Sequence, residues 1–100
     1  MMQKYRRNAK VDTNQNEIVR QLRCIPSVTV ELSHDDILVG HAGKTLWYEI
    51  KTPDAVSKKT GKINESFLKP SQIKLLRSWA GHYKVVWSLE QILDDLKIER

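Results

Sequence analysis

Ile18, Val19, Leu22 and Ile25 fall on one face of a 3.6-residue repeat, and Asn14 and Glu17 stand before them at capping-box spacing. This pattern predicts a helix over about residues 15–24, closed by Pro26, which cannot continue it. Val28, Val30 and Leu32 then alternate with Thr29 and Glu31, the period of a half-buried strand. Two apolar runs, residues 36–39 and 46–51, flank Gly40-His41-Ala42-Gly43 and predict a β-hairpin. Leu38 and Trp47 share one face of it, while Ile37, Val39, Leu46, Tyr48 and Ile50 share the other, so helices are expected on both sides.

Residues 52–70 are polar and lysine-rich, with only Val56, Ile63, Phe67 and Leu68 to bury; a loop of that length is usually functional or disordered. Ser71 is placed to cap a helix whose Ile73, Leu76, Trp79 and Ala80 form an apolar stripe, with Gly81 positioned to stop it in the left-handed conformation. Residues 84–87 are rich in strand formers. Ser88 and Gln91 form a second capping box ahead of Leu89, Ile92, Leu93 and Leu96. The order helix, three strands, basic loop, helix, strand, helix points to an α/β fold: a three-layer α/β/α arrangement around a central mixed sheet.

At 100 residues and 40% hydrophobic content the chain suits one compact domain. Seventeen Lys and Arg against twelve Asp and Glu leave a formal charge of +5, which favours a polyanionic partner such as nucleic acid, although a basic surface also serves solubility. Cys24 is the only cysteine, so neither an intramolecular disulfide nor a cysteine-rich zinc site can form, as befits a reducing intracellular, cytoplasmic setting. A buried small hydrophobe is its expected role. The basic arm over residues 1–13, carrying Lys4, Arg6, Arg7 and Lys10, lacks a following apolar segment, and no run is long enough to cross a bilayer. His34, His41 and His82 fall in loops or at strand ends, without the spacing of a metal pair.

The chemistry gathers on the hairpin. With the turn centred between Ala42 and Gly43, residues whose numbers sum to 85 face each other, so Asp36 pairs with Glu49. Directly opposed side chains have Cβ atoms about 5 Å apart, and two like charges there destabilise a sheet unless a cation bridges them. Lys51, two residues beyond Glu49, emerges on the same face. Hydrolysis of a phosphodiester needs a Lewis acid, an activated water and positive charge near the transition state, and these three groups match that need. An E-x-K pair in isolation is more often a solvated surface pair, but this strand is too apolar for one wholly exposed face. Trp47 shares the face and either walls the site or packs beneath the first helix, core packing being the expectation.

Asp36-Ile37-Leu38-Val39-Gly40 followed by Tyr48-Glu49-Ile50-Lys51 resembles the D and E-x-K elements of the PD-(D/E)xK nuclease superfamily, with Asp35 where that motif often has proline. The layout over about residues 14–96 is most similar to a minimal, phage-type VRR-NUC domain. Glu17 matches its helix-borne glutamate, and Gln72 the glutamine that opens the helix after the E-x-K strand.

The resemblance implies a restriction-endonuclease-like fold and a Mg²⁺- or Mn²⁺-dependent DNA endonuclease, including homodimers that cut four-way (Holliday) junctions. It implies Asp36 and Glu49 as metal ligands, the Ile50 carbonyl as a backbone ligand and Lys51 as catalytic. Glu17 would be an outer or second-metal ligand, though capping explains it equally well, and Gln72 would hydrogen-bond the active-site water or lysine. Lys58, Lys59, Lys62 and Lys69 are expected to contact backbone phosphates. The rival readings are a non-catalytic basic DNA-binding module on the same fold and an RNA-cleaving relative.

Overall fold

Helix α1 (Gln15–Arg23) forms because Ile18, Val19 and Leu22 make one buried stripe, and it ends before Pro26. In this computed structural model, residues 13–33 and 36–99 are described; Lys4, Arg6, Arg7 and Lys10 of the basic arm, together with His34 and Asp35, lie outside them. Cys24, the residue after α1, is exposed and not buried as expected, since it sits off the apolar stripe. The expected Asn14–Glu17 capping box does not form: the Asn14 side chain makes no cap and has a different use, described below.

Strands β1 (Thr29–Ser33), β2 (Asp36–His41), β3 (Lys44–Ile50) and β4 (Lys84–Val86) build one mixed sheet in the order β1-β2-β3-β4. The first three pair antiparallel, and β4 joins β3 in parallel. The β2–β3 hairpin turns on Ala42 and Gly43, both at positive φ (52° and 79°), as a two-residue turn matching the twist of its strands requires. The described residues thus form a mixed α/β fold, with a four-stranded mixed sheet and three α-helices.

The main core lies on one sheet face. Val30, Ile37, Val39, Tyr48, Ile50 and Val86 meet α1 and α3 (Leu89–Leu96), which bring Leu22, Ile92 and Leu93 among others. Leu32 continues the alternation of β1 yet is 54% exposed, because the helices leave the end of this edge strand uncovered. Helix α3 has the expected capping box: Ser88 Oγ accepts from the Gln91 N–H, and Gln91 Oε1 accepts from the Ser88 N–H at 3.0 Å.

Helix α2 (Pro70–Ser78) departs from expectation at both ends. It begins at Pro70 with Lys69 as N-cap, because proline lacks the amide hydrogen that a first-turn residue would leave unpaired. It ends at Trp79 in extended conformation, and Gly81 has no positive φ. The expected apolar stripe is largely exposed: Leu76 and Trp79 are outside the core, and Gln72 is the helix's buried residue.

Residues 52–69 are an ordered excursion. Val56 and Ile63 form a β-bridge, the Ser57 N–H donates to the Lys62 carbonyl at 2.8 Å, and Gly61 takes φ 71° in the turn between them. Ala55 and Leu68 anchor it by burial. Among the described residues no helix is long and apolar enough to cross a membrane.

Candidate active site on the second sheet face

The hairpin register places Asp36 directly opposite Glu49, as the two-residue turn requires. Both project from the sheet face opposite the main core, since Ile37, Tyr48 and Ile50, their neighbours in sequence, point into that core. Lys51 follows Glu49 on the same side, its Nζ 3.3 Å from Glu49 Oε2. Its main chain extends the ladder, the Lys51 N–H donating to the Val86 carbonyl at 2.8 Å. Ile50 is 1% exposed and belongs to the core, so its part in the site is limited to its backbone.

This face is covered by aromatic rings. Trp47 meets Trp79 edge-to-face at 5.5 Å and Tyr83 at 4.8 Å. The Trp47 indole N–H donates to Asp36 Oδ2 at 2.8 Å. Trp47 is therefore a wall of the carboxylate pocket and does not pack under α1 as expected, because α1 covers the opposite face.

Glu49 is 3% exposed, and its carboxyl is raised from the ordinary 4.5 to about 8. Burial is the main cause; the neighbouring Asp36 carboxylate adds to it, and Lys51 opposes it without cancelling it. Glu49 Oε1 is buried with no hydrogen-bond partner. The Tyr83 hydroxyl is likewise buried and unpartnered, and its pKa is pushed up by burial and then by the negative charges of Asp36 and Glu49. Orphaned buried polar atoms are rare in folded proteins, where each costs about 1–3 kcal/mol. Among the described residues three are found, and all lie here: Glu49 Oε1, the Tyr83 hydroxyl and Asn14 Oδ1.

Asn14 closes the end of the site. Its Nδ2 donates to the carbonyls of Lys51 (3.1 Å) and Trp87 (3.2 Å), tying the start of α1 to the ends of β3 and β4. The clamp holds the side chain by Nδ2, and Oδ1, the atom that would cap α1, is buried without a partner.

The remaining expected residues are placed as follows. Glu17 is exposed, and its carboxylate accepts from Arg20 and Gln21. Its pKa is lowered, chiefly by the hydrogen bond from Arg20. Gln72 is 7% exposed, and its Oε1 accepts from the Lys69 N–H at 2.9 Å, capping α2. Glu17 is thus engaged by neighbours on its own helix and Gln72 by the N-cap of its helix, and among the described residues neither is hydrogen-bonded to Asp36, Glu49 or Lys51. Lys58, Lys59, Lys62 and Lys69 are exposed along the excursion that leaves Lys51.

Among the described residues no cluster of three or more His, Cys, Asp or Glu side chains is arranged to hold a metal. Two facing carboxylates, one with an orphaned oxygen, fit an ion that takes one or two carboxylates and fills its other positions with water and phosphate oxygens, which is the habit of Mg²⁺.

Tyr83, like the clamp formed by Asn14, is not evident from the sequence pattern. It shares the parity of Val85, which pairs with Glu49, so its side of the sheet follows from the β3–β4 register. That register joins strands far apart in sequence, and the local pattern does not contain it. Comparison with protein-family models, curated proteins and solved structures gave no match.

Proposed function

We propose that this chain is a Mg²⁺- or Mn²⁺-dependent DNA endonuclease of the PD-(D/E)xK type, its sheet and helices forming a minimal restriction-endonuclease-like fold. One observation carries the reading: the half-buried Asp36 faces the buried Glu49 across the hairpin, with the Lys51 ammonium 3.3 Å from Glu49. A surface salt bridge needs neither burial nor a second carboxylate.

Asp36 and Glu49 would hold the ion, with the Ile50 carbonyl as the backbone ligand that the family resemblance implies. When bound, the ion supplies Lewis acidity at a phosphoryl oxygen and lowers the pKa of a coordinated water. Lys51 sits where it can orient the nucleophilic water or neutralise charge building on the phosphate. The Trp47 indole fixes the Asp36 carboxylate by one hydrogen bond. Asn14 holds the Lys51 backbone in place.

The excursion leaving Lys51 carries Lys58, Lys59 and Lys62, exposed cations suited to backbone phosphates, whose contacts weaken steeply with salt. Branched DNA and a homodimeric form rest on the family resemblance; two symmetric nicks across a junction call for two sites related by a twofold axis.

The test is cleavage of linear, flapped and four-way DNA, and of matched RNA, in Mg²⁺, Mn²⁺ and EDTA. Metal-dependent cutting of DNA is expected, reduced at least about a hundredfold by Lys51→Ala and by Asp36→Asn, the scale of losing one transition-state electrostatic contact. Salt-sensitive DNA binding with no turnover in either metal would favour the non-catalytic binding module. Undiminished cutting by both variants would refute the site.

A further inference from the structure

A well-formed cavity lies away from the carboxylate pair. It has a volume of about 570 Å³ and opens on the other face of β3, between the hairpin tip and the end of α3. Leu46 and Leu96 give it apolar walls. Its polar groups are Lys44, Lys84, Lys97, His41, His82 and one acid, Asp95. Three ammonium groups against one carboxylate leave the cavity cationic, by more than the roughly half negative charge at the C-terminal end of α3 can offset.

Several of these groups are held in place before any ligand arrives. Lys84 Nζ lies 3.0 and 3.1 Å from the two Asp95 oxygens, and Asp95 Oδ2 also accepts from the buried Tyr48 hydroxyl at 2.8 Å. His82 Nδ1 accepts the Trp47 backbone N–H at 3.1 Å, which leaves Nε2 as the protonated nitrogen of its neutral ring. That ring is fixed edge-to-face on Tyr48 at 5.0 Å. The His41 Nδ1–H donates to the Ser27 carbonyl at 3.1 Å. The result is a concave site with two imidazole rings, apolar walls and a cationic rim.

We propose that this cavity binds a small organic phosphate with a flat unsaturated body, the chemistry presented by a nucleoside monophosphate. The volume falls in the range of small-molecule sites. The phosphate meets the lysines, while the flat body lies against the imidazoles and the leucines. A free nucleotide and the 5′-terminal nucleotide of a strand both present this group. The site shares no residue with the carboxylate pocket and does not depend on the nuclease reading.

The test uses the full chain in EDTA, titrated with adenosine 5′-monophosphate, adenosine and inorganic phosphate, and followed by calorimetry and NMR. Adenosine monophosphate is expected to bind at least about tenfold more tightly than either fragment and to shift the signals of His82 and Leu46. The double variant Lys44→Gln/Lys97→Gln, altered at two exposed positions, should weaken it by about tenfold or more while the thermal midpoint stays near wild type. Equal binding of phosphate alone, equal binding by the double variant, or shifts confined to Asp36, Glu49 and Lys51 would each overturn the proposal. A 5′-phosphorylated dinucleotide separates the sources: binding at similar strength identifies a strand end, and loss of binding identifies a free nucleotide.

Discussion

Burial, with Asp36 beside it, favours the protonated form of Glu49 in the folded, metal-free protein and raises its carboxyl to about 8. Folding therefore binds that proton more tightly than the unfolded chain does. The stability this contributes is complete below about pH 4.5, the ordinary value, and is lost as pH rises through about 8. Thermal midpoints in EDTA from pH 5 to 9 should fall for the wild type relative to Glu49→Gln, and parallel curves would contradict the burial argument. Tyr83 gives a second residue-scale prediction. Its hydroxyl is buried without a partner, so Tyr83→Phe should stabilise the metal-free protein by about 1 kcal/mol, a rise in midpoint of about 4–8 °C. A fall would mean that the hydroxyl has a partner. The three charged residues of the site were legible in the sequence because strand parity and a two-residue turn leave one register for Asp36, Glu49 and Lys51. Asn14 was not, since its spacing to Glu17 imitates a cap while its partners, Lys51 and Trp87, are distant in sequence.

Among the elements, the hairpin was the most legible and α2 the least. The hairpin is set by local rules, alternation and turn geometry, and it turns where Ala42 and Gly43 both take positive φ. Ala42 pays about 1 kcal/mol for that conformation, which asparagine tolerates better. Ala42→Asn should raise the thermal midpoint by several degrees and leave the Asp36–Glu49 register intact; denaturant melts and NMR of the strand amides check both. A destabilised variant would show that the turn conformation is assigned wrongly. For α2 the apolar spacing of Ile73, Leu76 and Trp79 imitated a core helix. In the fold it is a thin cover whose buried residue is Gln72, with Trp79 spent on an edge contact to Trp47. A stripe shows that a helix can be amphipathic, but which surface receives it depends on the rest of the sheet.

Across the whole molecule the two sheet faces divide the work. One carries the apolar core under α1 and α3 and gives the fold its stability. The other has only the thin cover of α2, so Asp36, Glu49 and Lys51 meet aromatic rings there, and burial of Glu49 moves its carboxyl pKa. The alternation of helices and strands could be anticipated from periodicity, whereas the parallel β3–β4 pairing that makes the sheet mixed, and the cationic cavity behind it, arise from long-range contacts. The central proposition is that Asp36 and Glu49 act together on one divalent cation. Titration of the full chain with Mn²⁺, followed by electron paramagnetic resonance at pH 7.5 with proton release recorded in parallel, tests it directly. Saturable binding with release of a proton is expected, weakened at least about tenfold by either Asp36→Asn or Glu49→Gln. Identical Mn²⁺ binding by the wild type and the double variant, with no proton released, would contradict it.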